Sequence, residues 1–407
     1  MRRYRLIIAV LFAYVGILQA QHGFPEGHYC NSEEGWNTKN CRALDGLKNH
    51  DQDKVIVIPH RGVWGAEGIP ETSLVAVTEA YNQGYMFCEV DLIMTKDRKL
   101  LLFHDQQVDR ATDAPPTFTN DGGGDDHGNF IRSMNYNSVT LNTVPDKDGK
   151  IYPSFPPLKN LQYTDRQGNI TGQTLNTFEQ LLDYSADKQI ILTLDLKAVK
   201  ITDPTIRNEY FEAIKLILQI AKEKNALHRI ALKPGASGQV KVSELKNYLE
   251  PLGLWKDFSQ HTNIILINII GAAFPLATNK EYLDAWLSLP SLIGVEHIYK
   301  NKNDELLQPK AEFGNKSIVQ YTKEKGIRTG VFHPTPNDVS GAANGRGGFY
   351  NPKNYGTIDD LRGSMEFLFS VPQNVFPGMI VTDRADVDIN FLELFDLNSI
   401  YTKRTDF

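Results

Sequence analysis

Three short segments of this 407-residue chain carry acid, base and cation-binding side chains between residues 60 and 105: His60-Arg61-Gly62, Glu89-Val90-Asp91 and His104-Asp105. Imidazoles titrate near neutral pH, so His60 and His104 suit proton transfer in both directions. Glu89 and Asp91, two residues apart on an extended chain, project from one face and offer a pair of oxygens to one hard divalent cation. Two carboxylates so close repel each other unless a cation or a base lies between them. Asp195, closing the apolar run Ile191-Leu192-Thr193-Leu194, adds a third oxygen donor. An all-carboxylate set favours Ca²⁺ or Mg²⁺, and the lack of a Cys/His cluster argues against zinc. Arg61 and Lys197 bring positive charge where a phosphate can sit, the guanidinium being shaped for two-point contact. Together these groups read as metal-assisted cleavage of a phosphate ester. Each also has a plainer role. A histidine at a strand end is most often a packed residue, and Arg61 and Lys197 can simply pair with the carboxylates. Glu71 either orients Arg61 or caps the helix after it. Asp105 either holds the ring of His104 in one tautomer or lies in an exposed turn.

The segments end apolar runs, and the runs recur. Strands are expected at Val55–Ile58, Phe87–Ile93, Ile190–Leu194, Ile230–Leu232, Ile264–Ile267, Gly294–His297, Arg328–Phe332 and Met379–Thr382, with Leu100–His104 as a short return strand. Helices are expected from Glu71 to Gln83 and at Phe178–Ser185, Thr205–Lys224, Ser243–Leu249, Lys280–Leu287, Ile318–Lys325 and Ile358–Phe369, and Asp388–Leu397 can supply the eighth. Eight such units suggest an α/β chain folded as a (β/α)₈ TIM barrel, an open doubly wound sheet being the alternative. A barrel keeps its working groups at the C-terminal ends of its strands. His60, Glu89, Asp91, Asp195, Lys197, Lys233, Glu296, His297, His333 and Asp383 all fall there, so polar groups are expected to collect on one mouth. Residues 111–172, a long insertion after the second strand, break the rhythm with Pro, Gly, Asn and Asp. That composition predicts a mobile cover over the mouth and not a second packed core.

Ahead of the barrel, Arg2, Arg3 and Arg5 precede the apolar run Leu6–Leu18. The run is short for a membrane span, which needs about 20 residues, and suits a signal peptide over residues 1–20. Residues 21–52 follow as a polar extension without clear periodicity, and 53–400 form the barrel. No later segment is apolar enough for stable membrane insertion. Export places the mature chain in a secreted or periplasmic setting, where a Cys30–Cys41 disulfide is permitted. Cys88 reads as a buried free thiol. The formal charge of −6 becomes −9 without the three leader arginines, which leaves no electrostatic footprint for nucleic acid. The expected partner is a small-molecule phosphodiester. Nothing in the sequence speaks to the oligomeric state.

As an ordered group, His60-Arg61-Gly62, Pro70-Glu71-Thr72-Ser73, Glu89-Val90-Asp91, His104-Asp105, Asp195-Leu196-Lys197 and Val381-Thr382-Asp383-Arg384 resemble the glycerophosphodiester phosphodiesterase family from about Val55 to Asp386. The resemblance implies a (β/α)₈ barrel with one Ca²⁺ or Mg²⁺ that hydrolyses glycerophosphodiesters to glycerol phosphate and an alcohol. It implies Glu89, Asp91 and Asp195 as metal ligands and His60 and His104 as acid and base. Three positions depart from the pattern. Pro-Glu-Thr-Ser stands for the familiar Pro-Glu-Asn-Thr, Asp195 is one methylene shorter than the usual Glu, and Val331-Phe332-His333 lacks the tryptophan often found there. Two rival readings remain: a related barrel lyase that releases a cyclic phosphate, and a non-catalytic barrel that only binds sugar or phosphate.

Overall fold

The computed structural model describes residues 24–48, 54–108, 110–114, 131–137, 142–145, 151–197, 201, 203–234, 240–269, 279–334, 362, 367–368, 371–394 and 399–400. Eight parallel strands form its centre: β1 (Lys54–Pro59), β2 (Phe87–Met94), β3 (Ile191–Leu196), β4 (Ile230–Lys233), β5 (Asn263–Ile269), β6 (Leu292–Ile298), β7 (Arg328–His333) and β8 (Met379–Thr382). They lie in the order β1-β8-β7-β6-β5-β4-β3-β2. The two end strands pack against each other, which curls the sheet into a barrel. The β1/β2 seam is held without a ladder among the described residues. Ser399–Ile400 pairs with the start of β1 and Leu100–Leu102 runs antiparallel along the end of β2, so each takes part of a free edge. Side chains from the two strand ends close the gap, as shown below.

Parallel strands buried on both faces need continuous apolar runs. Val55-Ile56-Val57-Ile58 meets that need: Val55 and Val57 face the helices, while Ile56 and Ile58 face the barrel interior. Apart from the single turn Glu33–Trp36, the α-helices among the described residues are α1 (Lys39–Lys48), α2 (Leu74–Asn82), α3 (Phe178–Tyr184), α4 (Pro204–Glu223), α5 (Val242–Leu249), α6 (Lys280–Leu287), α7 (Ile318–Glu324) and α8 (Ala385–Leu394). Two starts differ from expectation. α2 begins at Leu74, because the Ser73 hydroxyl accepts from the Ala76 N–H and Pro70-Glu71-Thr72 form the turn before it. α8 begins three residues earlier than Asp388. Most of the expected helix Ile358–Phe369 lies outside the described residues. Among the described residues no helix is long and apolar enough to cross a membrane.

The polar extension carries more structure than its composition suggests. α1 buries Cys41, Ala43, Leu44 and Leu47, a stripe at helical spacing hidden among Lys, Asn, Arg and Asp. With Phe24 and Cys30 these side chains pack onto the inward-facing floor of the barrel, including Ile56, Phe87, Ile191, Ile265 and Met379. A Cys30–Cys41 disulfide staples the segment, with Cα atoms 5.3 Å apart, and Cys88 is free and buried. Arg328 of β7 ties it down. Its guanidinium donates to the Gly46 and Leu47 carbonyls at the end of α1, both at 2.8 Å, and to the Lys54 carbonyl at 2.7 Å. A cation at that end satisfies orphan carbonyls and complements the helix dipole.

Two histidines are buried beside this plug. The Cys30 N–H donates to His28 Nδ1 at 3.2 Å, and the Tyr29 and His228 rings lie 3.9 Å apart. Burial, followed by the positive charge of His228 and Lys48, pushes His28 down to about 3. Burial and then Arg229 push His228 down to about 4. The unfolded chain therefore takes up these protons first, so the stability they carry is complete above pH 6.5 and is lost as pH falls toward 4. Both histidines should steepen the dependence of stability on pH between pH 6.5 and 4.5. Urea unfolding of a His28→Phe/His228→Phe variant should show a flatter pH dependence over that window; an unchanged slope would refute the assignment.

The insertion corrects the expectation of a mobile cover without a core. Ile131, Met134, Tyr136, Leu158, Leu161 and Tyr163 from within it pack with Ile93, Leu101 and Phe103 as a small second core. The run Gly122–Gly128, whose composition drove the expectation, lies outside the described residues. A hairpin of Gln162–Thr164 and Ile170–Thr174 then reaches the loop that follows His60 and Arg61. Gly68 N–H donates to Asp165 at 3.2 Å, Gln173 donates to the Gly68 carbonyl at 3.0 Å, and Arg166 lies 5.9 Å from the Trp64 ring centre.

Candidate active site

The chain turns sharply as it leaves β1. Arg61 and Gly62 both have positive φ, +57° and +83°. A side chain at position 62 would put its Cβ 2.6 Å from that of Ala76, so only glycine fits. The turn aims Arg61 at the β2 carboxylates and closes the barrel seam. Its backbone N–H donates to Glu89 Oε2 at 2.9 Å, its Nε lies 3.5 Å from Asp91 Oδ2, and its Nη1 donates to Glu71 Oε2 at 2.9 Å. Glu71 therefore orients Arg61, and Ser73 caps α2. Arg110 and Arg61 outweigh the desolvation of the Glu71 carboxyl and lower it to about 2.

Glu89, Asp91 and Asp195 stand on the same side of two paired strands, with Asp91 directly opposite Asp195 in the β2/β3 register. Each offers an oxygen within 4.8 Å of the others. Lys197 sits between two of them, its Nζ 2.8 Å from Asp91 Oδ1 and 2.5 Å from Asp195 Oδ2. Thr72 donates to Asp91 Oδ2 at 2.8 Å. Burial opposes the charge on Asp91, but Lys197, His104 and Arg61 hold it well below the usual carboxylate range.

The two histidines are built alike. His60 Nδ1 lies 2.6 Å from Asp383 Oδ1, and His104 Nδ1 lies 2.6 Å from Asp105 Oδ1. An ionised carboxylate only accepts, so in both rings the proton is held on Nδ1 and Nε2 is left for chemistry. His60 Nε2 is 3.6 Å from Glu89 Oε2, and the Phe332 ring packs edge-on at 4.7 Å. Burial alone would lower His60, but Glu89 and Asp383 outweigh it and raise it. Burial, then Arg61 and Lys197, lower His104.

The structure thus brings His60, His104, Arg61, Lys197, Glu89, Asp91 and Asp195 to one mouth. It sends His297 and His333, expected there as strand-end groups, elsewhere. Alternation turns both outward from the barrel, where His333 Nδ1 meets Asp388 of α8 at 2.8 Å and His297 Nδ1 meets Asn268 at 3.3 Å. Arg110, whose guanidinium engages Asp105 and Glu71, joins the site without a signal in its own spacing, since in sequence it is one half of the ordinary charged pair Asp109-Arg110.

A third carboxylate pairing lies deeper. Lys233 of β4 reaches across the interior, its Nζ 2.8 Å from Glu296 Oε2 and 3.3 Å from Glu89 Oε1, and all three side chains are at most 3% exposed. Desolvation opposes the ammonium, yet Glu296 and Glu89 raise its pKa. Breaking a buried pair leaves an uncompensated charge and costs about 3–5 kcal/mol. Lys233→Met should lose that much unfolding free energy in urea, and Lys233→Met/Glu296→Gln should recover part of it. A loss below ~1 kcal/mol, the size of an exposed pair, would show that the three charges are not coupled.

The glycerophosphoryl diester phosphodiesterase family matches residues 60–328, from His60 to the first residue of β7. The chain belongs to that family. Over 210 residues it is 27% identical to the uncharacterised protein y4eD of Sinorhizobium fredii, covering 51% of this chain and 49% of that one. Over 73 residues it is 41% identical to human glycerophosphodiester phosphodiesterase 1, covering 18% of this chain and 21% of that one. The chain thus spans about half or less of the length of these relatives. A crystal structure of a glycerophosphoryl diester phosphodiesterase from Parabacteroides distasonis superposes with a TM-score of 0.51 at 14% identity, over 88% of this chain and 93% of that one. At that identity the likeness is one of fold. Within the family barrel, the Glu89–Asp91–Asp195 trio fits a hard divalent cation, being three carboxylates from two adjacent strands. The other acidic cluster, Glu71, His104 and Asp105, has Arg110 lying across both of its carboxylates and includes an imidazole, a donor set less suited to a hard cation than three carboxylates.

Proposed function

We propose that this chain is an exported, metal-dependent phosphodiesterase that hydrolyses glycerophosphodiesters to glycerol phosphate and an alcohol. The observation that carries the proposal is the pair of matched His–Asp dyads, His60–Asp383 and His104–Asp105, beside one carboxylate trio. Glu89, Asp91 and Asp195 would hold one Ca²⁺ or Mg²⁺, which when bound supplies Lewis-acid polarisation of a phosphoryl oxygen. Arg61 and Lys197 hold the phosphate. His60 Nε2 takes the proton of the attacking hydroxyl as the new P–O bond forms, and His104 Nε2 returns a proton to the alcohol oxygen as the old bond breaks. The charges of the chain itself run the other way, raising His60 and lowering His104, so the order rests on His60 immediately preceding the phosphate-holding Arg61. Export is supported by the Cys30–Cys41 bridge, a bond typical of oxidising compartments.

Product analysis tests the reading. Purified protein is offered several glycerophosphodiesters and bis-p-nitrophenyl phosphate, and the phosphorus products are followed by NMR. Glycerol phosphate plus free alcohol is the expected result. A persistent cyclic phosphate would assign the chain to the lyases, and binding without turnover would make it a non-catalytic barrel.

A further inference from the structure

Arg110 stands outside every role assigned so far, yet it joins two of them. Its Nε donates to Asp105 Oδ2 at 2.5 Å and its Nη2 to Asp105 Oδ1 at 3.1 Å. The same Nη2 donates to Glu71 Oε1. Each carboxylate spends another contact on the active site: Asp105 Oδ1 receives His104 Nδ1 at 2.6 Å, and Glu71 Oε2 receives Arg61 Nη1 at 2.9 Å. The result is one continuous chain, His104–Asp105–Arg110–Glu71–Arg61, in which a planar guanidinium fixes two carboxylates at once. Asp105 is held far below the usual carboxylate range, by the hydrogen bond from His104 and the charge of Arg110 against the cost of burial. It therefore acts only as an acceptor toward His104.

We infer that Arg110 is a positioning residue that sets the orientation of the proton-donating His104 and of the phosphate-holding Arg61 together. The inference rests on the role proposed above for His104. A fork is needed here and a point charge is not enough, because lysine cannot meet both oxygens of Asp105 and also reach Glu71 in fixed geometry. Without the guanidinium, Glu71 and Asp105 become neighbouring anions with nothing between them. Asp105 is then free to turn, and His104 loses the partner that fixes its tautomer.

The test compares Arg110→Met and Arg110→Lys with His104→Ala and the double variants, on a glycerophosphodiester and on bis-p-nitrophenyl phosphate. Arg110→Met should lower kcat on the glycerophosphodiester by about 10–100-fold, the usual worth of such an outer partner, and much less on the nitrophenyl ester, which needs little acid. Added to His104→Ala, it should leave kcat nearly unchanged and raise only KM, through Arg61, since residues that act as one unit are not additive. Arg110→Lys preserves charge and guards against a folding defect. In it the ¹⁵N shifts of the His104 ring should move from a single Nδ1–H form toward a tautomer mixture. If His104→Ala is slow but Arg110→Met impairs both substrates equally, adds fully to it, and leaves the His104 tautomer untouched, the inference fails and the functional reading stands. If His104→Ala slows neither substrate, both fall.

Discussion

His104→Ala should slow hydrolysis of a glycerophosphodiester by about 10²–10⁴-fold, the usual worth of general acid–base catalysis, and slow bis-p-nitrophenyl phosphate far less. A glycerophosphodiester expels a poor alkoxide that needs a proton as it leaves, while nitrophenolate departs without one. His60→Ala should be impaired on both substrates, because the attacking hydroxyl must lose its proton in either case. The dyads make the comparison clean: each ring is held by a single carboxylate at 2.6 Å, and removing one leaves the other dyad in place. Steady-state kinetics on the two esters decides it. Selective rescue of His60→Ala by the good leaving group would reverse the assignment, and normal rates in both variants would make the histidines structural.

Chelation should abolish turnover, and Ca²⁺ or Mg²⁺ should restore it. Glu89 and Asp91 are 1% exposed or less and Asp195 is 9% exposed, so three carboxylates are held out of water within 4.8 Å of one another. Such a set is costly without positive charge, which Lys197, Lys233 and Arg61 supply in this structure and to which a divalent cation would add. A cation that binds the folded chain alone should also stabilise it, by about 2.7 kcal/mol at a hundredfold excess over Kd. Asp195→Asn should weaken both effects. Full turnover by protein shown to be metal-free, with no shift in unfolding on adding cation, would overturn the ligand assignment.

The parts of this site that could be read in sequence share one physical property: each puts a charged or imidazole side chain into or just after an apolar run. An inward-facing position of a barrel strand tolerates such a residue toward the mouth, so Pro59-His60, Val90-Asp91 and Leu194-Asp195 announce both the strand and the mouth. The eight strands were legible for the same reason. Contacts made across the fold were not. Arg110 meets Glu71 from 39 residues away, and Lys233 meets Glu89 from 144 away, and neither lies at a recurrent spacing. The extension and the insertion misled by averaging, because a few buried residues in each, such as Leu44 and Leu47 or Met134 and Tyr163, are diluted by polar neighbours. His297 and His333 misled by phase. Each lies one position from an inward-facing residue, Glu296 or Phe332, and on a strand one position is the difference between the pocket and the wall.

The stapled plug has a consequence in time. Residues 24–48 are made before the barrel, yet the surfaces they dock on include Met379 and Val381 of β8, and the side chain that ties them down, Arg328, belongs to β7. The plug must therefore wait for β7 and β8. Contacts of that sequence separation form late and slowly, whereas the link between Cys30 and Cys41 spans 11 residues and asks nothing of the barrel. The disulfide can close while the plug is still waiting, and so presents the barrel with a finished stopper when the last two strands arrive.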